Sequence, residues 1–205
     1  MVFAAILMMA LGCDQMILGT PNEPQLDREY PIKVGFMYNF MKFTHWPTES
    51  VEDSDNSNTL DSNETMTIGV IGKDPFGNSF DVLKKKVVRG RKIVLRRFQG
   101  FEGVQQSSEH LEAIQKCHVL FIGSPQEEEV QNIIDLVKDH AVLTVGETKG
   151  FIESGGIINF IQEKKKIRFE VNIIAAKHSK LEISSKLLAL AKRTIREEQA
   201  EETEK

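Results

Sequence analysis

Cysteine is scarce in this sequence, because 205 residues contain only Cys13 and Cys117. An excess of positive charge is absent as well, since 26 Lys and Arg face 30 Asp and Glu, for a formal net charge of −4. General nucleic-acid binders are usually strongly basic, so this balance argues against DNA or RNA as a partner. If Cys13 is consumed by lipidation, Cys117 has no intramolecular disulfide partner, and the core alone must hold the fold.

A long hydrophobic run is also missing. The longest run, Met1 to Gly12 (MVFAAILMMALG), covers about 18 Å as a helix, against roughly 30 Å for the hydrocarbon core of a bilayer. Its length is typical of the apolar part of an export signal. No Lys or Arg precedes it, so a start further upstream is an open alternative.

The export signal ends in a sequence that resembles a bacterial lipobox, Ala10-Leu11-Gly12-Cys13. This resemblance predicts that Cys13 is lipidated and that residues 1–13 form the signal. An ordinary cleaved signal is the alternative, because a lipobox usually carries Leu where Ala10 stands. In enteric-type bacteria, Asp14 after the lipidated Cys would favour retention at the inner membrane. The expected location is therefore the periplasm, with a lipid anchor at the inner membrane.

Composition divides the rest of the chain into three parts. Residues 14–28 are interpreted as a tether, because Thr20 to Arg28 is polar and contains two prolines. Residues 29–195 are predicted to form one domain, with a long acidic loop near residues 48–65. Residues 196–205 form a charged tail with almost no apolar residue.

The domain alternates between strand and helix patterns. Apolar runs predict strands at residues 67–71, 92–97, 119–122 and 142–145, with a hairpin made of Ile157–Ile161 and Ile167–Val171. Helices are predicted at residues 31–43, 79–85, 108–116, 172–177 and 184–196. The helix after Ser124 carries a capping box and one apolar stripe made of Val130, Ile133, Ile134 and Val137. This alternation predicts a single three-layer α/β domain with a mostly parallel sheet, helices on both faces and a C-terminal β-hairpin.

Five segments of the domain resemble, in order, motifs of the YfiR-like family of periplasmic regulatory proteins. They are Lys33–Phe43 with Trp46-Pro47, then Ile68–Gly77, Cys117–Ile122, Val142–Gly156, and Ile167–Leu188. The resemblance implies an exported α/β protein, commonly dimeric. Its best-known member represses an inner-membrane diguanylate cyclase by binding the cyclase's periplasmic region, which lowers cyclic di-GMP and biofilm formation. That member has disulfides within its domain, and Cys117 has no partner here, so redox control of that kind is not carried over.

The first candidate contact residues lie on the first predicted helix and its exit. Tyr38, Asn39, Lys42 and Trp46 combine aromatic rings with polar groups, a combination that anchors interfaces. The alternative is that this helix serves the core, as its phenylalanines do. For Asn39 we weigh two roles, bracing the loop after the first strand or contacting a partner or ligand.

Two further groups of candidates come from loops and from a cationic segment. The loop after the strand at residues 67–71 contains Asp74 and Phe76, and the loop after the strand at residues 142–145 contains Phe151. Both loops lie at the carboxyl edge, where open α/β sheets usually bind ligands. Turn formation by the neighbouring Pro and Gly residues is the alternative. Eight cations fall within residues 84–97, and among them Arg89 and Arg91 are candidate contacts with an acidic partner or lipid headgroups. A solvated surface is the alternative for these cations.

No motif in the sequence indicates an enzyme, a metal centre or a cofactor. Cys117 and His118 are neighbours on a strand and point to opposite faces, and no Cys/His spacing typical of zinc occurs. No phosphate loop or nucleophile elbow is present. We therefore expect a non-catalytic protein. The family resemblance implies that it binds and represses a membrane-bound signalling enzyme, a diguanylate cyclase. The alternative is a periplasmic ligand-sensing module acting with a sensor histidine kinase.

Overall fold

The computed structural model describes residues 28–47, 65–105, 107–123 and 127–197. The strands are β1 (Thr44–His45), β2 (Thr65–Gly72), β3 (Val87–Val88), β4 (Arg91–Phe98), β5 (Val119–Gly123), β6 (Leu143–Gly146), β7 (Ile158–Glu163), β8 (Lys166–Asn172), β9 (Glu182–Ile183) and β10 (Arg193–Ile195). The helices are α1 (Glu29–Phe43), α2 (Phe101–Gln105), α3 (Ser108–Gln115), α4 (Glu127–Val137), α5 (Ile173–His178) and α6 (Ser185–Leu188), with a 3₁₀ helix at Gly77–Leu83. Residues 1–27, which include Cys13, lie outside the described part.

Eight strands form the central sheet, in the order β10-β8-β7-β6-β5-β2-β4-β3. The pairs β7–β8 and β3–β4 are antiparallel, and the other neighbours in this sheet are parallel. The registers Ile71↔Ile122 and Ile122↔Gly146 bring the carboxyl ends of β2, β5 and β6 to one edge. The predicted mostly parallel sheet is confirmed, and it places the loops after β2 and β6 at the same edge.

Alternating side chains of the sheet feed two separate cores. On one face, Val119 and Phe121 of β5 join the buried side of α1. On the other face, Leu120 and Ile122 join the apolar stripe of α4, as predicted for Val130, Ile133, Ile134 and Val137. Helices thus cover both faces, which confirms the three-layer fold. The capping box predicted at Ser124 lies outside the described residues.

Helix α1 is buried along one side only, although apolar residues occur on both of its sides. Val34, Met37, Phe40 and Met41 are fully buried, whereas Ile32 is 48% exposed and Asn39 is exposed. A buried amide would need several hydrogen-bond partners, and Asn39 at the surface can meet that need with water. The exposed side of α1 is therefore free to contribute to a surface.

The prediction for the C-terminal segment is wrong. Helix α6 ends at Leu188, and β10 follows as a parallel partner of β8, so no helix runs to Arg196. The Lys192 amide donates to the Phe169 carbonyl at 2.8 Å, which fixes the entry into β10. Tertiary pairing overrides the local preference, because a free strand edge at β8 offers the segment a complete set of backbone partners.

The predicted hairpin is confirmed, but its turn is tighter than expected. Strands β7 and β8 are joined by only Lys164 and Lys165, with φ of 47° and 64°. Both central residues of a type I′ turn need positive φ, and this turn matches the twist of the strands. A separate small sheet pairs β1 with β9 and ties the end of α1 to the C-terminal region.

Candidate functional site

Tyr38 joins α1 to the hairpin at the end of the sheet. Its hydroxyl donates to the Val87 carbonyl of β3 at 3.3 Å. Lys42 lies one helical turn further along α1 and is exposed, as is Asn39. Tyr38 therefore contacts the β3–β4 hairpin, and Asn39 and Lys42 are exposed on the same helix.

The β3–β4 hairpin presents the two predicted arginines. Arg89 and Gly90 have φ of 50° and 76° and form its turn, and Arg91 opens β4. Burial, and then the positive charge of Arg91, lower the pKa of Arg89 below its ordinary value. The cations are therefore crowded here, and the surface favours a negatively charged partner.

Exposed aliphatic side chains accompany these cations. Val82 of the 3₁₀ helix is 61% exposed and Val87 of β3 is 49% exposed. The 3₁₀ helix and β3 both pack against α1. We call the surface made of Tyr38, Asn39, Lys42, Val82, Val87, Arg89 and Arg91 the hairpin face.

Trp46 lies in the core and not on the hairpin face. Its side chain is 4% exposed, its Nε1 donates to the Ala141 carbonyl at 2.9 Å, and its ring meets that of His118 edge-on. A buried indole with a satisfied N–H is a packing anchor. Trp46 therefore fixes the exit of α1 against the segment before β6.

The loop after β2 also has a structural role. Asp74 accepts the Phe76 amide at 2.8 Å through Oδ1 and pairs with Arg97 at 2.6 Å through Oδ2. Phe76 is 2% exposed and packs against the rings of Phe80 and Phe121. The structure thus shows the turn formation that was the alternative for this segment.

Phe151 locks the loop after β6. Its ring is 1% exposed and lies where a Cβ at Gly146 or Gly156 would stand, 2.4 and 2.1 Å from its nearest atoms. The Asn172 amide donates to the Ile152 carbonyl at 2.8 Å and holds the same loop. Phe151 therefore shapes the carboxyl edge from within the core.

A buried lysine at this edge was missed by the sequence analysis. Lys33 of α1 is 4% exposed, and its Nζ bonds Glu29 at 2.5 Å and Glu147, just after β6, at 2.6 Å. Burial lowers the pKa of Lys33, but the hydrogen bonds and charges of the two glutamates outweigh it and leave the pKa above its ordinary value. Its burial could have been predicted from helical spacing, because Lys33 lies one turn before the buried Met37.

A cavity of about 620 Å³ opens beside this ion pair, on the strands at the far end of the sheet from the hairpin face. We call it the edge cavity. Asn159 of β7 lines it, is 3% exposed, and has an Oδ1 without a hydrogen-bond partner within the described residues. The rest of its polar lining is charged or amide: Glu127, Glu147, Lys149, Glu153, Gln162, Glu170 and Arg193. A polar residue between buried Ile158 and Phe160 was the sequence signal for this site.

Cys117 is a buried free cysteine. Burial raises the pKa of the Cys117 thiol to about 12, so it stays protonated and unreactive at neutral pH. The described residues contain no group of three or more His, Cys, Asp or Glu placed to hold a metal ion. Across those same ranges, no helix combines the length and apolarity that a membrane span requires.

Comparison with known proteins identifies a family. The model of the DUF4154 family, described as YfiR/HmsC-like, matches residues 30–192. No curated protein matches the chain.

Solved structures of similar shape include a conserved domain protein from Vibrio cholerae O1 biovar eltor, with 15% identity, a TM-score of 0.45, and coverage of 64% of this chain and 55% of the other. A second is the ABC domain in complex with L-Trp from Streptococcus pneumoniae, with 9% identity, a TM-score of 0.46, and coverage of 63% and 55%. The chain thus spans about half the length of these two structures.

Proposed function

Because the chain belongs to the YfiR/HmsC-like family of periplasmic regulatory proteins, we propose that it binds and represses a membrane-bound signalling enzyme. The enzyme is a diguanylate cyclase, and repression lowers cyclic di-GMP and biofilm formation. The match covers residues 30–192, which include both the hairpin face and the edge cavity.

The hairpin face is the observation that supports a docking role. It combines arginines, a tyrosine edge and exposed valines at one end of the sheet. Arg and Tyr are enriched among the residues that dominate interface energies, and exposed aliphatics supply apolar area beside them. The partner surface that fits it is acidic with an apolar centre, on the periplasmic region of the enzyme.

Anchoring near the membrane would strengthen this contact. A lipid on Cys13 with residues 14–28 as a tether confines the domain to within about 50 Å of the bilayer, from the length of an extended chain. Confinement raises the effective concentration toward a membrane partner without any new contact. Lipidation, the tether and a homodimer remain predictions for mass spectrometry and light scattering to check.

Charge reversal on the hairpin face tests the docking role. We expect Arg89→Glu with Arg91→Glu to weaken binding to the detergent-solubilised cyclase at least tenfold, because both charges would then repel an acidic partner. In cells, the same variant should raise cyclic di-GMP.

A matched control is available in the second hairpin. Lys164→Glu with Lys165→Glu makes the same change in net charge at another exposed turn, and should leave the affinity within about twofold. If both double variants lose affinity equally, the loss is due to overall charge, and the hairpin face is not supported as the docking surface. Failure of the unmodified protein to bind any cyclase would contradict the proposed function itself.

A further inference from the structure

Asn159 is the one cavity-lining residue whose buried oxygen is unpaired within the described ranges. It lies in the middle of the sheet, with Gly146 of β6 on one side and Glu170 of β8 on the other. An unpaired buried acceptor is unfavourable, and a donor bound at such an atom removes that cost. The partner must be a hydrogen-bond donor, because the amide oxygen only accepts.

The charge of the edge cavity narrows the class of donor. Four carboxylates line it, those of Glu127, Glu147, Glu153 and Glu170, against two cations, Lys149 and Arg193. Arg193 is already held by Glu153 at 2.5 Å and by Glu170 at 2.7 Å. Glu147 is held in the same way by Lys33 at 2.6 Å. With these ion pairs included, the four lining carboxylates still exceed the two lining cations, so the cavity favours a cation over an anion.

We infer that the edge cavity binds a small organic molecule through its primary ammonium group, which donates to Asn159 Oδ1 among the surrounding carboxylates. An ammonium carries three N–H donors on a compact charge, which suits one acceptor surrounded by glutamates. The volume of about 620 Å³ lies within the range of small-molecule sites. Ile161, on the same face of β7 as Asn159, adds an apolar side chain to the lining for a short alkyl chain.

This site is distinct from the hairpin face, but it is connected to α1. Glu147 lines the cavity and also bonds Lys33 of α1. An ammonium that draws on the Glu147 carboxylate competes with Lys33, so binding alters the attachment of the helix that carries Tyr38. The test below measures ligand binding alone and does not depend on the regulated enzyme.

The test uses n-butylammonium chloride as the probe, with the full protein at constant ionic strength. We expect saturable binding by calorimetry, a raised melting temperature, and a shift of the Asn159 side-chain amide signals in ¹H–¹⁵N spectra. Tetramethylammonium has the charge but no N–H donor, and sodium butyrate has the chain but the opposite charge, so both should bind at least tenfold more weakly. Equal binding of tetramethylammonium, tighter binding of butyrate, or no binding of butylammonium would each overturn the inference.

Substitution of Asn159 separates a ligand role from a structural one. Asn159→Leu removes the unpaired oxygen, so it should abolish binding while the melting temperature without ligand stays equal or rises. Asn159→Asp adds a carboxylate and should tighten binding of the probe severalfold. Undiminished binding by Asn159→Leu would contradict the site, and if neither variant folds, the Asn159 amide signals of the unmodified protein decide the question.

Thr44→Val is the matched control. Thr44 is fully buried, and its Oγ1 is the other buried side-chain atom unpaired within the described residues, but it does not line the edge cavity. The variant should bind butylammonium as the unmodified protein does. A loss of binding equal to that of Asn159→Leu would assign the effect to general loosening of the core and refute the inference.

Discussion

Two ion-pair clusters, each made of one cation and two glutamates, differ in their surroundings. Lys33 lies between Glu29 and Glu147, and Arg193 lies between Glu153 and Glu170, each cation with two short contacts. The Lys33 side chain is 5% exposed, whereas that of Arg193 is 46% exposed. Contact distances alone therefore do not set the stability that an ion pair contributes. Water screens the exposed Arg193 cluster, whereas it has little access to the buried Lys33 ammonium.

The largest expected difference comes from removing the carboxylates. Glu29→Gln with Glu147→Gln leaves the buried Lys33 charge unpaired, and should lower the free energy of unfolding by about 3 kcal/mol. Glu153→Gln with Glu170→Gln leaves Arg193 near water and should cost less than about 1 kcal/mol. Urea denaturation of both double variants measures the two losses, and equal losses would break the comparison.

An alkaline pH series should show the contribution of Lys33. Its pKa is raised in the folded state, so its stabilisation is present below about pH 10.5, the ordinary lysine pKa, and is lost as the pH rises through the folded value. The stability difference between the unmodified protein and Lys33→Met should therefore shrink above pH 10.5.

Tyr30 adjoins the same cluster and must be controlled. Burial, and then the charge of Glu147, raise its pKa, so its ionisation also destabilises the fold at high pH. The same comparison in a Tyr30→Phe background isolates the effect of Lys33. A difference that stays constant between pH 9 and 12 in that background would contradict the assigned role.

Salt should give the smallest effect. Arg193→Gln is expected to cost less than about 1 kcal/mol at 0.1 M NaCl, and this cost should fade toward 1 M, where the Debye length is about 3 Å. The loss from the Glu29 and Glu147 double variant should persist, because burial protects that pair from screening. Urea denaturation at both salt concentrations measures the free energy of unfolding. If the loss in Arg193→Gln does not depend on salt, the Arg193 ion pairs are not screened by water, and the contrast with the Lys33 cluster fails.

Sequence periodicity predicted most of the fold, because strands and helices that bury a regular stripe show it locally. The stripe of α4 and the runs at β2, β5 and β6 are of this kind, and all are confirmed. The C-terminal strand β10 was missed, since its conformation depends on the Phe169 carbonyl of β8 and not on its own residues.

The candidate sites were harder to predict, because burial of a polar residue depends on distant partners. Lys33 pairs with Glu147, 114 residues away, so no local pattern reveals that this lysine is buried. Large aromatics suggested contact surfaces at Trp46, Phe76 and Phe151, and the structure places all three in the core. The exposure of Arg89 was predictable, because a short cationic turn is exposed in almost any fold.

Phe151 and its two glycines behave as one unit. The ring occupies the space of a side chain both at Gly146, which ends β6, and at Gly156, which lies just before β7. A larger residue at either glycine must be accompanied by a smaller one at 151, so these three positions can change only together. Because Gly156 lies just before β7, its packing against Phe151 also helps to position the start of that strand. Asn159, whose side chain lines the edge cavity, is three residues beyond Gly156.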